Sequence, residues 1–370
     1  MEETAQAIDT PLAAWHKSTG AKMGTWFGCA LPDHWTEPRT EQEFARESAA
    51  LVDKNYRAYL TFTGPDRVRY LNAILTNNIK ELAAGQGEVS LLLNPQGHIL
   101  AEVETYAQEE NLFCVSYAMI RERLIEVIDK YIIMDNVTMS DESARYATLA
   151  LEGPRAADVA LELTGVELAP LGELGRKETS VASIPCWITK RSPGGVAGCE
   201  FLVERDAVTN LWQALLESVK KHGGGPIGYA ALSAQRLAQG VPWFGYDYGE
   251  KQIPHEAGLE ASHISYTKGC YTGQEIVERV RSRGQVIRRR VELVFDNEKV
   301  PAAGELLTVD GKEVGSVTRA AVPSFLSHAI GMGYARKDYN ALGKKLNWAE
   351  GTAVVSKFPE ALGTEAAAAK

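Results

Sequence analysis

Long hydrophobic runs are missing from this 370-residue chain. No apolar stretch approaches the roughly 18 residues that a membrane-spanning helix needs. A positive balance is missing too: 39 Lys and Arg against 48 Asp and Glu leave a formal net charge of −9. The surface as a whole therefore has no non-specific attraction for nucleic acid or anionic lipid, and any anion site must be local. Cysteine is scarce, with five residues (Cys29, Cys114, Cys186, Cys199, Cys270), and the closest two are 13 positions apart. The lack of a Cys-x-x-Cys pair argues against a disulfide framework, a zinc knuckle or a conventional iron–sulfur ligand set, so no metal site is expected. The opening Met1-Glu2-Glu3-Thr4 is acidic where a targeting segment would be basic, which reads as cytoplasmic.

What is present is an ordinary globular composition, 45% hydrophobic and 24% charged, over a length that suits two or three domains. Two segments share one grammar. Ala58 to Thr63 is a strand pattern followed by Gly64-Pro65 and then Val68, Leu71, Ile74 and Leu75 at helical spacing. Ala147 to Glu152 is a second strand pattern, followed by Gly153-Pro154 and a helix that should close at Gly165. This reads as a faint internal duplication. Further helices are expected from about Met119 to Met134 and from an Asp206 N-cap to Lys220-Lys221-His222. Strand runs such as Val89 to Leu93 and Glu200 to Val203 lie between them, giving an α+β body. After Gln285 the helical period vanishes and short strands alternate with turns, among them Asp310-Gly311, a type I′ hairpin signal. The expected division is a body over 1–285, a small β-barrel or sandwich over 286–358 and a disordered tail over 359–370.

Chemistry concentrates in Lys268-Gly269-Cys270-Tyr271-Thr272-Gly273-Gln274-Glu275, after which six arginines fall within twelve positions (Arg279, Arg281, Arg283, Arg288, Arg289, Arg290). Glycines let backbone approach a ligand, and neighbouring cations favour a thiolate, so Cys270 reads either as a reactive thiol or as a small apolar residue in a tight loop. Arg288 to Arg290 read as a salt-bridged face. Arg279 and Arg283, nearer the cysteine, read as an electropositive strip for a carboxylated ligand. His98, His255 and His263 lack the spacing of a ligand set, and Trp243, Phe244, Tyr246 and Tyr248 suit either stacking on a flat ligand ring or, the favoured reading, a subdomain junction.

The Lys268–Glu275 motif, continuing to Arg279 and Arg283, resembles the signature of the YgfZ-type folate-binding proteins of iron–sulfur cluster assembly and repair. Thr10-Pro11-Leu12, Gly20 to Met23, Thr63 to Asp66, Leu151 to Pro154, Gly198-Cys199-Glu200, Pro254 to Leu259 and Gly315 to Thr318 resemble the wider superfamily of the glycine-cleavage T-protein, an aminomethyltransferase. That resemblance implies an aminomethyltransferase-like ring of α+β folate-binding subdomains with a C-terminal β-barrel, and tetrahydrofolate or a one-carbon-substituted form in a central channel. It implies Cys270 and Lys268 as the catalytic pair. It assigns Glu200 to the pterin, Arg236 to a folate carboxylate, and Tyr271, Gly273, Gln274, Glu275, Arg279 and Arg283 to cofactor binding. In the T-protein, aspartates follow a Gly-Gly pair; here Leu100 and Ala101 stand at those places, and Glu102, one position on, should point to the opposite face of its strand. The expected function is thus a folate-binding accessory factor for iron–sulfur client or assembly proteins. The alternatives are an aminomethyltransferase of the glycine cleavage system and a folate-binding regulatory or RNA-modification accessory protein.

Overall fold

The computed structural model describes residues 6–191, 194–284 and 286–358. The tail expected over 359–370 lies outside them.

Two sheets repeat one plan. In the first, the strand order is Gly87–Leu93, Ile99–Ala107, Leu112–Tyr117, Arg57–Thr63, Thr138–Asp141. In the second it is Arg176–Val181, Ile184–Lys190, Gly198–Glu204, Tyr146–Glu152, Ala50–Asp53, Gly225–Pro226. Each unit opens with a strand that runs through Gly-Pro into a helix, then lays down three antiparallel strands whose last pairs with the first. The place beyond that first strand is taken by Thr138–Asp141 from within the first unit. In the second unit it is taken by Ala50–Asp53, from the chain that precedes both. The Gly-Pro turns explain the repeated motif. Gly64 (φ +94) and Gly153 (φ +121) adopt backbone that disfavours a side chain, and a Cβ would lie 2.2 Å from the Asn136 carbonyl oxygen or 2.5 Å from that of Ser48. The prolines stand in the turn just before each helix, closed by Arg67 N–H to Gly64 O at 3.3 Å and Ala156 N–H to Gly153 O at 3.0 Å.

One face of each sheet is sealed by helices. Arg67–Ile74 and Arg121–Asp129 bring Leu71, Ile74, Leu124 and Ile128 against Leu60, Phe62, Ala101 and Val103. Ala156–Thr164 and Val208–Lys221 bring Val159, Leu211, Trp212 and Leu215 against Leu149, Leu151 and Phe201. The other faces meet through Tyr59, Tyr106, Phe113 and Leu202, with Tyr59 Oη 2.7 Å from Thr148 Oγ1.

A third group closes the body: the hairpin Lys22–Trp26/Cys29–His34, the helix Tyr229–Ala238 and the segment 241–264. Phe27 sits at the hairpin tip at φ +51 and stacks on Tyr56 at 4.1 Å, within a buried cluster that includes Tyr117, Tyr229, Trp243 and Tyr248. The aromatic run 243–248 therefore packs where the hairpin, Tyr56 and Tyr117 meet.

Six strands from Arg288 to Ser356 form a closed barrel. Asp310 and Gly311 both have positive φ (+49 and +73), the type I′ geometry read from the dipeptide. Asp247 ties barrel to body: its carboxylate accepts from Arg236, from Trp243 N at 2.9 Å and from Thr318 Oγ1 at 2.6 Å, while its carbonyl accepts from Tyr334 Oη at 2.9 Å.

Two helix expectations need correction. The segment expected over 119–134 is a 3₁₀ turn, Ala118–Ile120, followed by a helix that stops at Asp129. Tighter turns end it, Tyr131 N–H to Ile128 O and Ile132 N–H to Asp129 O, both 3.0 Å, and the chain leaves to supply the strand Thr138–Asp141. Asp206 lies inside a 3₁₀ turn, Arg205–Ala207, so Ala207 takes the N-cap place with no side-chain bond.

Candidate functional site

Simple alternation along Ile99–Ala107 turns Glu102 away from the centre, and the structure corrects this. Leu93 pairs with Ile99 but Leu92 pairs with Ala101, so Leu100 is a bulge residue without an opposite number. The extra residue shifts the alternation by one. Ala101 and Val103 enter the helix-covered core, whereas Glu102 stands opposite Leu91 on the central face.

There Glu102 lines a cavity of about 190 Å³ between the two sheets and the 241–264 segment. Its walls include Tyr56, Tyr117, Trp243 and Tyr248, the cations Arg57, Arg191 and Arg290, and the loop residues Ser262 and His263. Glu102 is 6% exposed, and its carboxylate is held by three side chains. Tyr117 Oη donates to Oε1 at 3.0 Å, Tyr248 Oη donates to Oε2, and His263 Nε2 lies 3.1 Å from Oε2. Burial by itself would raise this carboxyl, but the His263 contact, Arg191 and Tyr248 together outweigh it and hold the group down at about 2. A buried carboxylate that stays ionised is thus built into the cavity wall.

Behind it runs a buried ion network. Arg57 donates to Glu104 at 3.1 Å and to Glu200 at 3.0 Å, and Arg191 donates to Glu104 at 3.0 Å. Burial opposes the charge on Glu104, yet the Arg57 and Arg191 guanidinium groups hold it well below the usual carboxylate range. Glu152 differs. Burial raises it to about 7, against a weaker pull from Lys54, and among the described residues only its Oε2 finds donors, Gly194 N at 3.0 Å and Gln235 Nε2 at 3.4 Å.

The cysteine motif lies elsewhere. Lys268 spends its ammonium on three backbone carbonyls, Asn72 at 2.6 Å, Leu75 at 2.5 Å and Asn77 at 2.8 Å, and so ties down the end of the Arg67–Ile74 helix. All three donors of Lys268 thus point at peptide oxygens. Cys270 is exposed while the other four cysteines are buried. Burial pushes the Cys29 and Cys114 thiols up to about 12 and that of Cys186 to about 11. Tyr271 is buried in the central cluster. Gly273 (φ +82) opens the helix Gln274–Arg283, and a Cβ there would stand 2.7 Å from the Asn94 carbonyl oxygen. Gly97 answers from the facing turn, where a Cβ would lie 2.9 Å from Ile276. The motif's glycines thus serve an interlock of two turns.

Of the other predicted ligand residues, none lines the cavity. Glu200 gives its carboxylate to Arg57, which does line it. Arg236 is fully buried, paired with Asp247 and donating to Val241 O at 3.1 Å. Gln274 Oε1 accepts from Tyr271 N at 3.3 Å, Glu275 pairs with Arg279 at 2.7 Å on the exposed helix surface, and Arg283 stands exposed in the last turn. Arg288 and Arg289 meet Glu256 and Glu260, the salt-bridged face expected of them. Glu102, Arg57, Arg191, Tyr117, Tyr248 and His263 are the cavity residues that sequence reasoning passed over. The signal available for Glu102 was its place beside the Leu100-Ala101 gap.

Two duplicated α+β units, a third group that closes a charged central cavity and a six-stranded closed barrel define an α+β architecture with a C-terminal β-barrel. Residues 12–264 match the family model described as GCVT N-terminal domain, and residues 288–354 match the glycine cleavage T-protein C-terminal barrel domain. The chain belongs to the glycine cleavage T-protein family. It is 27% identical over 337 residues to an aminomethyltransferase of Streptomyces avermitilis, covering 90% of this chain and 91% of that one. It is 29% identical over 325 residues to an aminomethyltransferase of Moorella thermoacetica, covering 87% and 88%. The crystal structure of glycine cleavage system aminomethyltransferase T from Bartonella henselae superposes with a TM-score of 0.86 at 23% identity, covering 95% of this chain and 97% of that one, and shares the fold.

Proposed function

We propose that the chain binds tetrahydrofolate, or a one-carbon-substituted form, in the Glu102 cavity and transfers a one-carbon unit carried on an amine, as in aminomethyl transfer. The observation that carries this reading is Glu102 itself, an ionised carboxylate on the wall of a cavity framed by tyrosines and Trp243. It supplies the carboxylate that Leu100 and Ala101 lack. A cavity of about 190 Å³ suits a bicyclic head group, being smaller than the ~300 Å³ at which whole-ligand sites begin. Aromatic side chains can cover the ring faces, and the ionised carboxylate can accept hydrogen bonds from ring N–H and amino groups. In this proposal Glu200 and Arg236 support the ligand through the walls they hold.

Titration with tetrahydrofolate, followed by tryptophan fluorescence, tests the binding. Glu102→Gln should weaken it or abolish the following step, the release of ammonia and methylene-tetrahydrofolate from an aminomethylated lipoyl carrier. No saturable binding would remove the proposal.

A second reading, an accessory role in iron–sulfur protein maturation, is favoured by Cys270, the one exposed cysteine of the five. Its loop is held by Lys268 on one side and by the Gly273–Asn94 contact on the other. Cys270→Ala should then fail to complement an iron–sulfur enzyme defect while retaining folate binding, and full complementation would remove this reading.

A further inference from the structure

We infer that a second cleft, apart from the Glu102 cavity, binds a free α-amino acid with an apolar side chain, its ammonium turned to Glu260 and His255 and its carboxylate to Arg281 and Arg289. The inference does not depend on the reaction proposed above. The cleft has a volume of about 330 Å³ and lies between the segment 255–266, the helix Gln274–Arg283 and the chain that enters the barrel. That is above the ~300 Å³ at which whole-ligand sites begin. Gly258, Leu259, Ser262 and His263 of the same segment line the Glu102 cavity, whereas His255, Glu260 and Tyr266 line the cleft. The two cavities are neighbours with no lining residue in common.

Two polar atoms in the cleft wall, His255 Nδ1 and Glu260 Oε2, are buried and have no hydrogen-bond partner among the described residues. A buried polar atom without a partner is costly, so each calls for a group from elsewhere. His255 is 9% exposed, and its other nitrogen, Nε2, lies 3.3 Å from Tyr266 Oη. With the ring proton on Nε2 and donated to that hydroxyl, Nδ1 presents a lone pair. Burial outweighs the nearby Glu260 charge and pulls the imidazole below its ordinary value, which keeps it neutral and able to accept. Glu260 Oε1 already accepts from Arg289, and Oε2 is left over. Both open atoms are therefore acceptors. A primary ammonium, with three donors and no acceptor, can serve the two at once.

The charges around the cleft call for the other end of the ligand. Arg281 is half-exposed, its guanidinium 4.2 Å from the centre of the Tyr266 ring and 3.5 Å from Glu278. Arg289 is half-exposed too and pairs with Glu260. Two guanidinium groups and two carboxylates leave the surroundings neutral in sum but divided, with the cations reaching solvent and the open Glu260 oxygen buried. A simple anion or a simple cation complements only one of these charges; a zwitterion complements both. Its carboxylate can take paired hydrogen bonds from a guanidinium fork. Val280 and Val286, also in the wall, give an apolar side chain something to cover.

Calorimetric titration of the full chain with L-leucine tests the site, beside three partial ligands: isocaproate, which is leucine without its amine, isoamylamine, which is leucine without its carboxylate, and glycine. L-Leucine should bind saturably, and isocaproate and isoamylamine should each bind about tenfold or more weakly. Glycine, which offers nothing to Val280 and Val286, should also bind less tightly. Arg281→Met and Glu260→Gln should each weaken leucine binding by about tenfold or more while leaving the circular dichroism spectrum unchanged. Should Glu260→Gln not fold, Arg281→Met decides, because its side chain is half in solvent. Absence of saturable leucine binding overturns the site, as do partial ligands that bind as tightly as leucine or variants that bind it like wild type. Displacement of leucine by tetrahydrofolate would put leucine in the Glu102 cavity and overturn the second site as well.

Discussion

Arg57 places one guanidinium nitrogen 3.0 Å from Glu200, so the opening strand of the first unit is tied to the Gly-x-Glu strand of the second at the wall of the central cavity. Both side chains are buried, at 3% and 7% exposure. Removing one partner of such a pair leaves an uncompensated charge where water cannot reach it. Arg57→Ala should therefore cost about 3–5 kcal/mol, read as a lowered urea midpoint. Glu200→Gln, which keeps an acceptor for Arg57, should cost less.

The two leading residues of the Lys268–Glu275 motif should separate cleanly. Lys268→Met strips donors from three buried or half-buried carbonyls at the end of the Arg67–Ile74 helix and should cost about 1–3 kcal/mol. Cys270→Ala, at an exposed thiol, should stay within about 0.5 kcal/mol of wild type. Parallel urea unfolding of the two variants checks this, and a costly Cys270→Ala would contradict the placement.

Acid and base should act on different carboxylates. Glu102 is held at about 2 in the folded chain against an ordinary 4.5, so its contribution is fully present above the unfolded value and is lost as pH falls towards 2. Glu104 acts in the same direction. Glu152 runs the other way: its folded value is raised to about 7, the native state holds the extra proton, and stability declines as pH rises from about 4.5 to 7. Each pKa unit is about 1.4 kcal/mol. Urea midpoints measured from about pH 5 to about pH 8 should fall in wild type and flatten in Glu152→Gln, whose amide oxygen can still accept from Gly194.

The glycines of the motif helix offer an internal control. Gly273→Ala puts a methyl group 2.7 Å from a carbonyl oxygen at positive φ, whereas Gly284→Ala, also at positive φ, meets nothing within 4 Å among the described residues. The second substitution should cost about 1–2 kcal/mol, the conformational penalty alone. Gly273→Ala should cost clearly more, because the Asn94 turn must also move. Comparing the two thermal midpoints tests whether the motif's glycine is there for the interlock.

Local chemistry was legible wherever it acts over a few residues. The Gly-Pro turns, the left-handed stop at Gly165 (φ +68) and the Asp310-Gly311 hairpin all depend on backbone preferences that neighbouring residues carry with them. The barrel region was legible for the same reason, since alternation and turn residues recur at short range. The helix ending at Asp129 was overextended because apolar spacing continues through Ile132, while the demand for a further strand is a long-range one. Lys268 looked like a partner for Cys270 because they are two positions apart, yet its ammonium reaches carbonyls more than 190 positions away.

By itself, then, the sequence determined the duplicated strand–Gly-Pro–helix units, the barrel and the likeness to a folate-binding family. Each is written in periodicity, turn residues or motif identity. Only the tertiary structure decided which carboxylate faces the cavity. The Leu100 bulge exists because strand Ile99–Ala107 pairs with Gly87–Leu93 in a register that leaves one residue over, and a shift of one residue exchanges the two faces of a strand. His263 meets Glu102 across 161 positions for a similar reason: loop closure and packing against the first unit, rather than any local preference, bring the imidazole to the carboxylate.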